Sequence, residues 1–300
     1  MRRCRFNISN TRNLLHRSTI QLLRFPFSWF LLPVYLFALA MLKEMDLPAA
    51  LGSFLLIHLL LYPASNGYNS YMDRDEGSIG GIENPMAPTG QLFAASVLMD
   101  VAGMLLSLFI SMHFAVCYFV YVVFSRLYSY RGVRLKKYPV AGYLTVVVNQ
   151  GALIFYMVYH NVQAGTMHTV PWQGMAVSTL LIGAFYPITQ VYQHEQDRKD
   201  GVTTISYKLG VKGTFIYCGV LYTIAFGLLA WYLQQQKELR YFFILQVWFL
   251  PVIVWFLKWA WQCFNDKAAA SFRNTMRMNW LAATCTNMAF ITVIIIRHFG

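Results

Sequence analysis

Apolar runs of close to twenty residues recur from one end of this chain to the other, and nothing constrains its folding more. A helix needs roughly 20 apolar residues to cross a bilayer. Nine runs of about that length are centred on residues 26–43, 49–66, 92–112, 114–128, 141–159, 174–192, 213–233, 241–260 and 279–297. Backbone groups in lipid must find partners within their own segment, and the runs lack the period-two alternation of a barrel strand, so helices are expected. The fold class is therefore all-α, a polytopic membrane protein of about nine transmembrane helices. The third and fourth runs lie close enough to form an antiparallel hairpin. Only 12% of the 300 residues are charged and 57% are hydrophobic, whereas a soluble domain carries about a quarter charged residues. No room is left for a separate soluble domain: residues 1–24 form a basic N-terminal segment and 25–300 one transmembrane domain.

The net charge of +12 is explained by topology rather than by nucleic acid. With a cytoplasmic N-terminus, only Lys43, Lys237, Arg240 and Arg297 of the 24 Lys and Arg residues fall outside, and the other 20 fall inside. That asymmetry obeys the positive-inside rule for an odd number of spans, which places the C-terminus outside. The first 24 residues contain six Arg and no acid, as expected of an amphipathic segment held to anionic lipid on the cytoplasmic surface; an organelle transit peptide is the other reading. The first reading needs no import, which favours a bacterial cytoplasmic membrane. Cys4, Cys117, Cys218, Cys263 and Cys285 have no paired spacing, against a disulfide framework or a zinc site.

Acidic residues are scarce and clustered. Of 12 in the chain, Asp73, Asp75, Glu76 and Glu83 form one window and Glu195, Asp197 and Asp200 a second. They sit at the ends of the second and sixth runs, which the topology puts on the same face, so they can look into one cavity. Two facing carboxylate clusters repel unless cations lie between them, and hard oxygen ligands select Mg²⁺ or Ca²⁺. Mg²⁺ typically binds through one or two carboxylates plus substrate phosphates, so a diphosphate ligand is implied, with basic residues of the same face on its remaining oxygens. Asn69 and Asp73, like Gln193 and Asp197, are four apart and project from one side of a helix.

At these residues the chain resembles the UbiA superfamily of intramembrane prenyltransferases. NSYMDRD, Asn69 to Asp75, is similar to the family's first aspartate-rich motif. QHEQDRKDGVTTISYKLG, Gln193 to Gly210, is similar to the second, and LYSYRGVRLKKYP, Leu127 to Pro139, to its Tyr and basic loop. Two departures stand out: the family commonly has a further Asp where this chain has Gly77, and opens the second motif with Asp where this chain has Gln193. The resemblance implies a helical bundle around a central cavity and transfer of an isoprenyl group from its diphosphate to a lipophilic, aromatic acceptor, with Mg²⁺ bridging the diphosphate and a lateral opening for the isoprenyl tail.

Breaking the allylic bond develops a carbocation and releases diphosphate, which calls for positive charge at the leaving group and π or negative density at the carbon. Asp73, Asp197, Tyr128 and Tyr130 are the candidate catalytic residues. Asn69, Asp73, Asp75, Glu76, Gln193, Glu195 and Asp197 are the candidate Mg²⁺ ligands, and Arg131, Arg134, Lys136 and Lys199 the diphosphate binders. Asp100, His58, Asn149 and Gln150 are polar residues inside apolar runs, costly to bury and hence functional candidates, with Asn149 and Gln150 suited to an acceptor pocket and Asp100 to pairing with a neighbouring helix. The loop GGIENPMAPTG, with Asn84, Pro85 and Pro88, has strong turn chemistry and suits either a lid or a fixed turn. Two other readings share the fold: ionisation without an external acceptor, as in a terpene synthase or cyclase, and non-catalytic isoprenoid binding or transport.

Overall fold

A computed structural model describes residues 15–74, 76–165 and 169–299. Asp75, Cys4 and the arginines at 2, 3, 5 and 12 lie outside the described residues. The described chain is helical with no strand, only two isolated bridges. Its long helical segments are α1 (Arg17–Met41), α2 (Leu47–Asp73), α3 (Gly90–Ser107), α4 (Met112–Ser129), α5 (Pro139–Val162) and α6 (Trp172–Ile188). A short α7 (His194–Lys199) follows, then α8 (Ile205–Gln235), α9 (Leu239–Asn265) and α10 (Phe272–Phe299). Among the described residues eight of these are long and apolar enough to span a bilayer, and α6, at 17 residues, is the ninth helix of the bundle. The third and fourth runs do form a hairpin, turning at residues 108–111.

The helices form because every backbone group inside lipid must be bonded locally, and their ends are set by identifiable caps. Asp46 accepts from the Ala49 N–H at 3.0 Å to start α2, Ser111 from Phe114 at 3.0 Å to start α4, and Thr204 from Tyr207 at 3.1 Å to start α8. Which face each helix turns outward follows from its apolar spacing. On α9, Phe243, Val247, Leu250, Val254, Leu257 and Trp261 recur every three or four residues and are exposed, Val247 at 72%, while Tyr241, Leu245, Phe249 and Trp259 are buried. A continuous exposed stripe of large apolar side chains would be a liability in water and is the ordinary lipid face of a membrane helix. The chain is an integral membrane protein. α10 packs against both α1 and α9, and α8 against α6, closing the bundle around its interior.

Three irregularities shape that interior. Residues Leu56–Leu61 in α2 and Val148–Leu153 in α5 are π-helical, a wider turn that recurs near functional sites. Ser28 donates to the carbonyl of His58 inside the first of them, at 2.9 Å, and the second turns Asn149 and Gln150 inward. α8 breaks at Gly210, whose φ of 64° and ψ of 175° lie in a region essentially reserved for glycine. This is the closing glycine of the second motif, and the break lets the motif's loop and the long span behind it take different directions.

Polar pairing inside the bundle is specific. Asp100 of α3 does pair with a neighbouring helix: its Oδ2 accepts from Arg126 Nη2 of α4, and the guanidinium carbon sits 4.0 Å above the ring of Tyr68 of α2. Three helices are thereby fastened together. At the far end Arg297 pairs with Glu238 and lies over Tyr241. His58 is buried against Phe54, Tyr35 and Tyr62, its Nδ1 3.2 Å from the Phe54 carbonyl. Cys117, Cys218 and Cys263 are buried thiols, and Cys285 is partly so, with no disulfide among them.

Close backbone approach makes a first prediction. A Cβ on Gly151 would lie 2.6 Å from the Thr179 Cα and 2.9 Å from the Ser178 carbonyl carbon, so Gly151→Ala must part α5 from α6 at a cost of about 1–3 kcal/mol, the usual penalty of overpacking. Its melting temperature, followed in detergent by reaction of the buried thiols with a fluorogenic maleimide, should fall; an unchanged melt would contradict the close approach. By the same assay Asp100→Asn, which strips the Arg126 guanidinium of its counter-charge, should lose about 1–3 kcal/mol, whereas a change at solvent-exposed Glu195 should have little effect.

Candidate active site

Asp73 of the first acidic window and Asp197 and Asp200 of the second line one cavity. Its volume is about 250 Å³, and its wall includes Asn69 and Asp73 from the end of α2, Tyr128 and Ser129 from the end of α4, and Lys136 from the following loop. Gln193, Gln196, Asp197 and Asp200 around α7 complete that wall. Deeper in, the lining becomes neutral and polar: Ser65, Asn66, Tyr121, Asn149, Gln150 and Asn279.

Asp73 ends α2, and Arg74 turns the chain sharply in the left-handed region at φ 56°, its N–H bonded to the Ser70 carbonyl at 3.1 Å. The Asp73 side chain is only 4% exposed; Lys136 Nζ pairs with Oδ2, and Arg134 Nη2 stands 3.8 Å from Oδ1. Both cations come from the basic loop, which doubles back through a second left-handed residue, Arg134 at φ 49°. Non-glycine residues adopt this conformation rarely, so two such turns flanking one carboxylate mark a tightly specified corner. Asp73 Oδ1 nonetheless has no hydrogen-bond partner. Asn69 is held by Ser129 Oγ, which donates to its Oδ1 at 2.7 Å.

On the opposite wall Thr204, besides capping α8, donates to Asp197 Oδ2 at 3.4 Å. Gln193 Nε2 donates across the mouth to the Ser78 carbonyl at 3.3 Å and to the Tyr192 hydroxyl at 3.1 Å. His194 Nε2 lies 2.8 Å from Ser206 Oγ, tying α7 to α8, and burial pushes this imidazole below its ordinary pKa. The hydroxyls of Tyr128 and Tyr186 are 2.6 Å apart, and Gln190 Nε2 donates to Tyr186 at 2.9 Å. Two phenol protons serve a single Tyr–Tyr bond, so one remains for a ligand.

The other residues singled out from sequence stand at the rim. Glu76, Glu195 and Lys199 are exposed, Tyr130 is half exposed, and Arg131 donates through Nε to the Met72 carbonyl at 2.7 Å. The loop after the first motif is a tight turn. Ile79 and Ile82 exchange backbone bonds of 2.9 Å, and Met86 N–H bonds to Gln21 Oε1 at 2.8 Å.

Several cavity residues were not singled out by sequence. Arg24 looked like the last of a basic N-terminal run, yet it is 9% exposed, lines the cavity and donates to the carbonyls of Gly80 at 3.3 Å and Asn66 at 3.4 Å. Tyr186, Gln190 and Gln196 precede or interleave the second motif, and their spacing to Asp197 on the chain is the signal available for them. Asn66 Nδ2, Gln190 Oε1 and Asn279 Oδ1 are buried in the cavity wall without hydrogen-bond partners.

A second cavity of about 420 Å³ is almost wholly apolar, lined among others by Val34, Phe37, Tyr222, Phe226, Phe249 and Phe290. Phe30, Ile182 and Phe185 belong to the walls of both cavities, so the charged chamber adjoins an apolar one inside the membrane domain, with these three side chains between them.

Hard oxygen donors fit a divalent cation here. Among the described residues no three Asp, Glu, His or Cys side chains converge on one point, but Asp73, Asp197 and Asp200 line one chamber, the first with Lys136 and Arg134 as ion-pair partners of its oxygens. Such a set suits an ion whose remaining positions are filled by water and ligand phosphate.

Known proteins share this architecture. A UbiA homolog from Archaeoglobus fulgidus bound to DMAPP and Mg²⁺ superposes with a TM-score of 0.68 at 19% identity, covering 92% of this chain and 99% of that one. The same homolog bound to GPP and Mg²⁺ gives 0.67 at 19% identity with the same coverage. In sequence, a probable homogentisate phytyltransferase 2 of the chloroplast from Oryza sativa subsp. japonica is 32% identical over 101 residues, 32% of this chain and 27% of the relative's length. Residues 30–282 match the model of the UbiA prenyltransferase family, and the chain belongs to that family.

Proposed function

We propose that this protein transfers an isoprenyl group from an isoprenyl diphosphate to a lipophilic acceptor within the membrane, with an aromatic ring as the acceptor's reacting part. The observation that carries this reading is the adjacency of the two cavities, which share Phe30, Ile182 and Phe185 as a common wall. A diphosphate ester of an isoprenoid is charged at one end and hydrocarbon at the other, and the chamber changes character in the same sense. The chain's resemblance to a phytyltransferase over a third of its length supports an aromatic acceptor.

In this reading the diphosphate rests between Lys136, with Arg134 behind it, and the carboxylates of Asp73 and Asp197. Mg²⁺ is the cofactor and would be held from the Asp197 and Asp200 side of the chamber, across from Asp73 and Lys136, with water and phosphate oxygens completing its shell; when bound it would supply charge neutralisation of the leaving diphosphate. Glu76, Glu195, Lys199 and Arg131 act at the rim, where an arriving headgroup first meets charge. The Tyr128–Tyr186–Gln190 chain holds one phenol proton ready for the leaving oxygen, and the ring of Tyr128, rather than that of exposed Tyr130, faces the developing cation, an interaction worth about 0.5–2 kcal/mol. The isoprenyl chain lies in the apolar chamber, which excludes water from the carbocation. The deep amides, Asn66, Gln190 and Asn279, offer unused donors and acceptors to the acceptor's polar groups, beside Asn149 and Gln150. The charge asymmetry of the loops supports a cytoplasmic orientation for the basic, site-bearing end.

The test is release of inorganic diphosphate from geranyl, farnesyl and geranylgeranyl diphosphates by the purified protein, with and without dihydroxylated aromatic acids as acceptors. Acceptor-dependent release is expected; release without any acceptor would replace transfer by cyclisation or hydrolysis. Asp73→Ala and Asp197→Ala should each lower turnover by about 10²–10³-fold, the usual effect of removing one electrostatic element of a transition-state site. Tyr128→Phe should cost about 10–100-fold through loss of one hydrogen bond to a charged group, while Tyr130→Phe should stay near the wild-type rate. Full turnover in Asp73→Ala would remove that carboxylate from the mechanism.

A further inference from the structure

Three features of the charged chamber point the same way. Where the aspartate-rich motifs resembling this chain's have a further carboxylate after Asp73, Gly77 leaves a gap, and Gln196 fills it: a Cβ at Gly77 would stand 2.6 Å from Gln196 Oε1. Where the second motif would open on a carboxylate, Gln193 instead spends its amide N–H groups on the Ser78 carbonyl and the Tyr192 hydroxyl, stitching the two motif loops together. Among the described residues the first-motif carboxylate that lines the chamber is Asp73, and it already has a cation seated on it, the Lys136 ammonium. Two carboxylates have become amides or space, and a third is neutralised by the protein itself.

We propose that this site takes a single divalent cation, on the Asp197 and Asp200 wall, and that the Lys136 ammonium serves as the fixed counter-charge on the Asp73 wall. The proposal rests on the isoprenyl diphosphate reading above. An ammonium is a compact point charge with three donors, so Lys136 can hold Asp73 Oδ2 and still present a proton to a phosphate oxygen. A divalent ion on Asp73 would have to settle against that ammonium or displace it, and the neutral oxygens of Asn69 and Gln193 supply little to offset like-charge repulsion. The chain would thus have exchanged part of its exchangeable metal for a covalently tethered charge that cannot be diluted or chelated away.

Counting ions decides the matter without reference to turnover. Mn²⁺ stands in for Mg²⁺ and is titrated into the purified protein in detergent, saturated with geranyl S-thiolodiphosphate, with bound ion read by electron paramagnetic resonance and calorimetry. One Mn²⁺ per chain is expected, and Asp197→Asn should weaken it at least tenfold. Lys136→Met, which bares Asp73, should raise the count to two. The Gly77→Asp/Gln193→Asp double variant, which restores both carboxylates with only the flexible end of Gln196 in the way, should also reach two. Two ions per wild-type chain would overturn the proposal, as would a count that stays at one in both variants. Failure of the thiolodiphosphate to bind at all, seen as no heat with or without Mn²⁺, would overturn the isoprenyl diphosphate reading as well, and is separable from a wrong ion count.

Discussion

A buried carboxylate at the end of a membrane helix cannot be left alone. Asp73 sits where α2 meets the site, with almost none of its side chain in contact with solvent, and an uncompensated charge there costs several kcal/mol. Much of the local architecture is what it takes to bring compensation. The chain leaving α4 must fold back over the end of α2, which it does through the left-handed Arg134 and the short helical turn at Leu135–Lys137. The strain of left-handed Arg74 and Arg134, about 1–3 kcal/mol each, is tolerable because this corner brings Lys136 to Asp73. The same folding back carries Ser129 to Asn69 and Tyr128 to Tyr186, so that neutralising one acid also assembles the rest of the wall.

Much of this was legible in the sequence, because the bilayer leaves few choices. Apolar length gave the spans, and scarcity of acids made their two clusters conspicuous. The charge asymmetry of the loops assigned both clusters to one face, and the structure sets Asp73 and Asp197 in one chamber. What escaped is equally physical. Arg24 shares its composition with the arginines before it, and nothing local distinguishes an arginine lying on a membrane from one whose backbone turns left-handed and whose guanidinium enters a cavity. Gln190 and Gln196 carry no charge and stand beside residues that do, so a search guided by charge passes over them. Tyr186 lies in an apolar run where most aromatic residues are packing, and its pairing with Tyr128 depends on two helices distant in sequence.

The division of the interior into a charged chamber and an apolar one is a property of helix ends and helix middles. The charged residues of the site cluster where α2, α4 and α6 emerge, where loops can supply counter-charges. The middles of the helices can offer amides and hydroxyls, which satisfy a polar ligand without requiring an ion, and beyond them only rings and methyl groups. Depth in the bundle is therefore a scale of polarity, and an amphiphile entering it is oriented by that gradient before any single contact is made.

The π-helical turns at Leu56–Leu61 and Val148–Leu153 have a consequence for how this chain can vary. Each such turn holds one residue more than an α-helix needs for the same rise. Removing a residue there would restore an unbroken α-helix of the same rise and leave the residues beyond it, Phe155 and Val158 among them, on their faces, while the widened turn that brings Asn149 and Gln150 to the cavity would be lost. Length in these two helices is thus a coded quantity, and a homologue that had lost one of these turns would be shorter by a single residue in the middle of a span, where no loop marks the deletion.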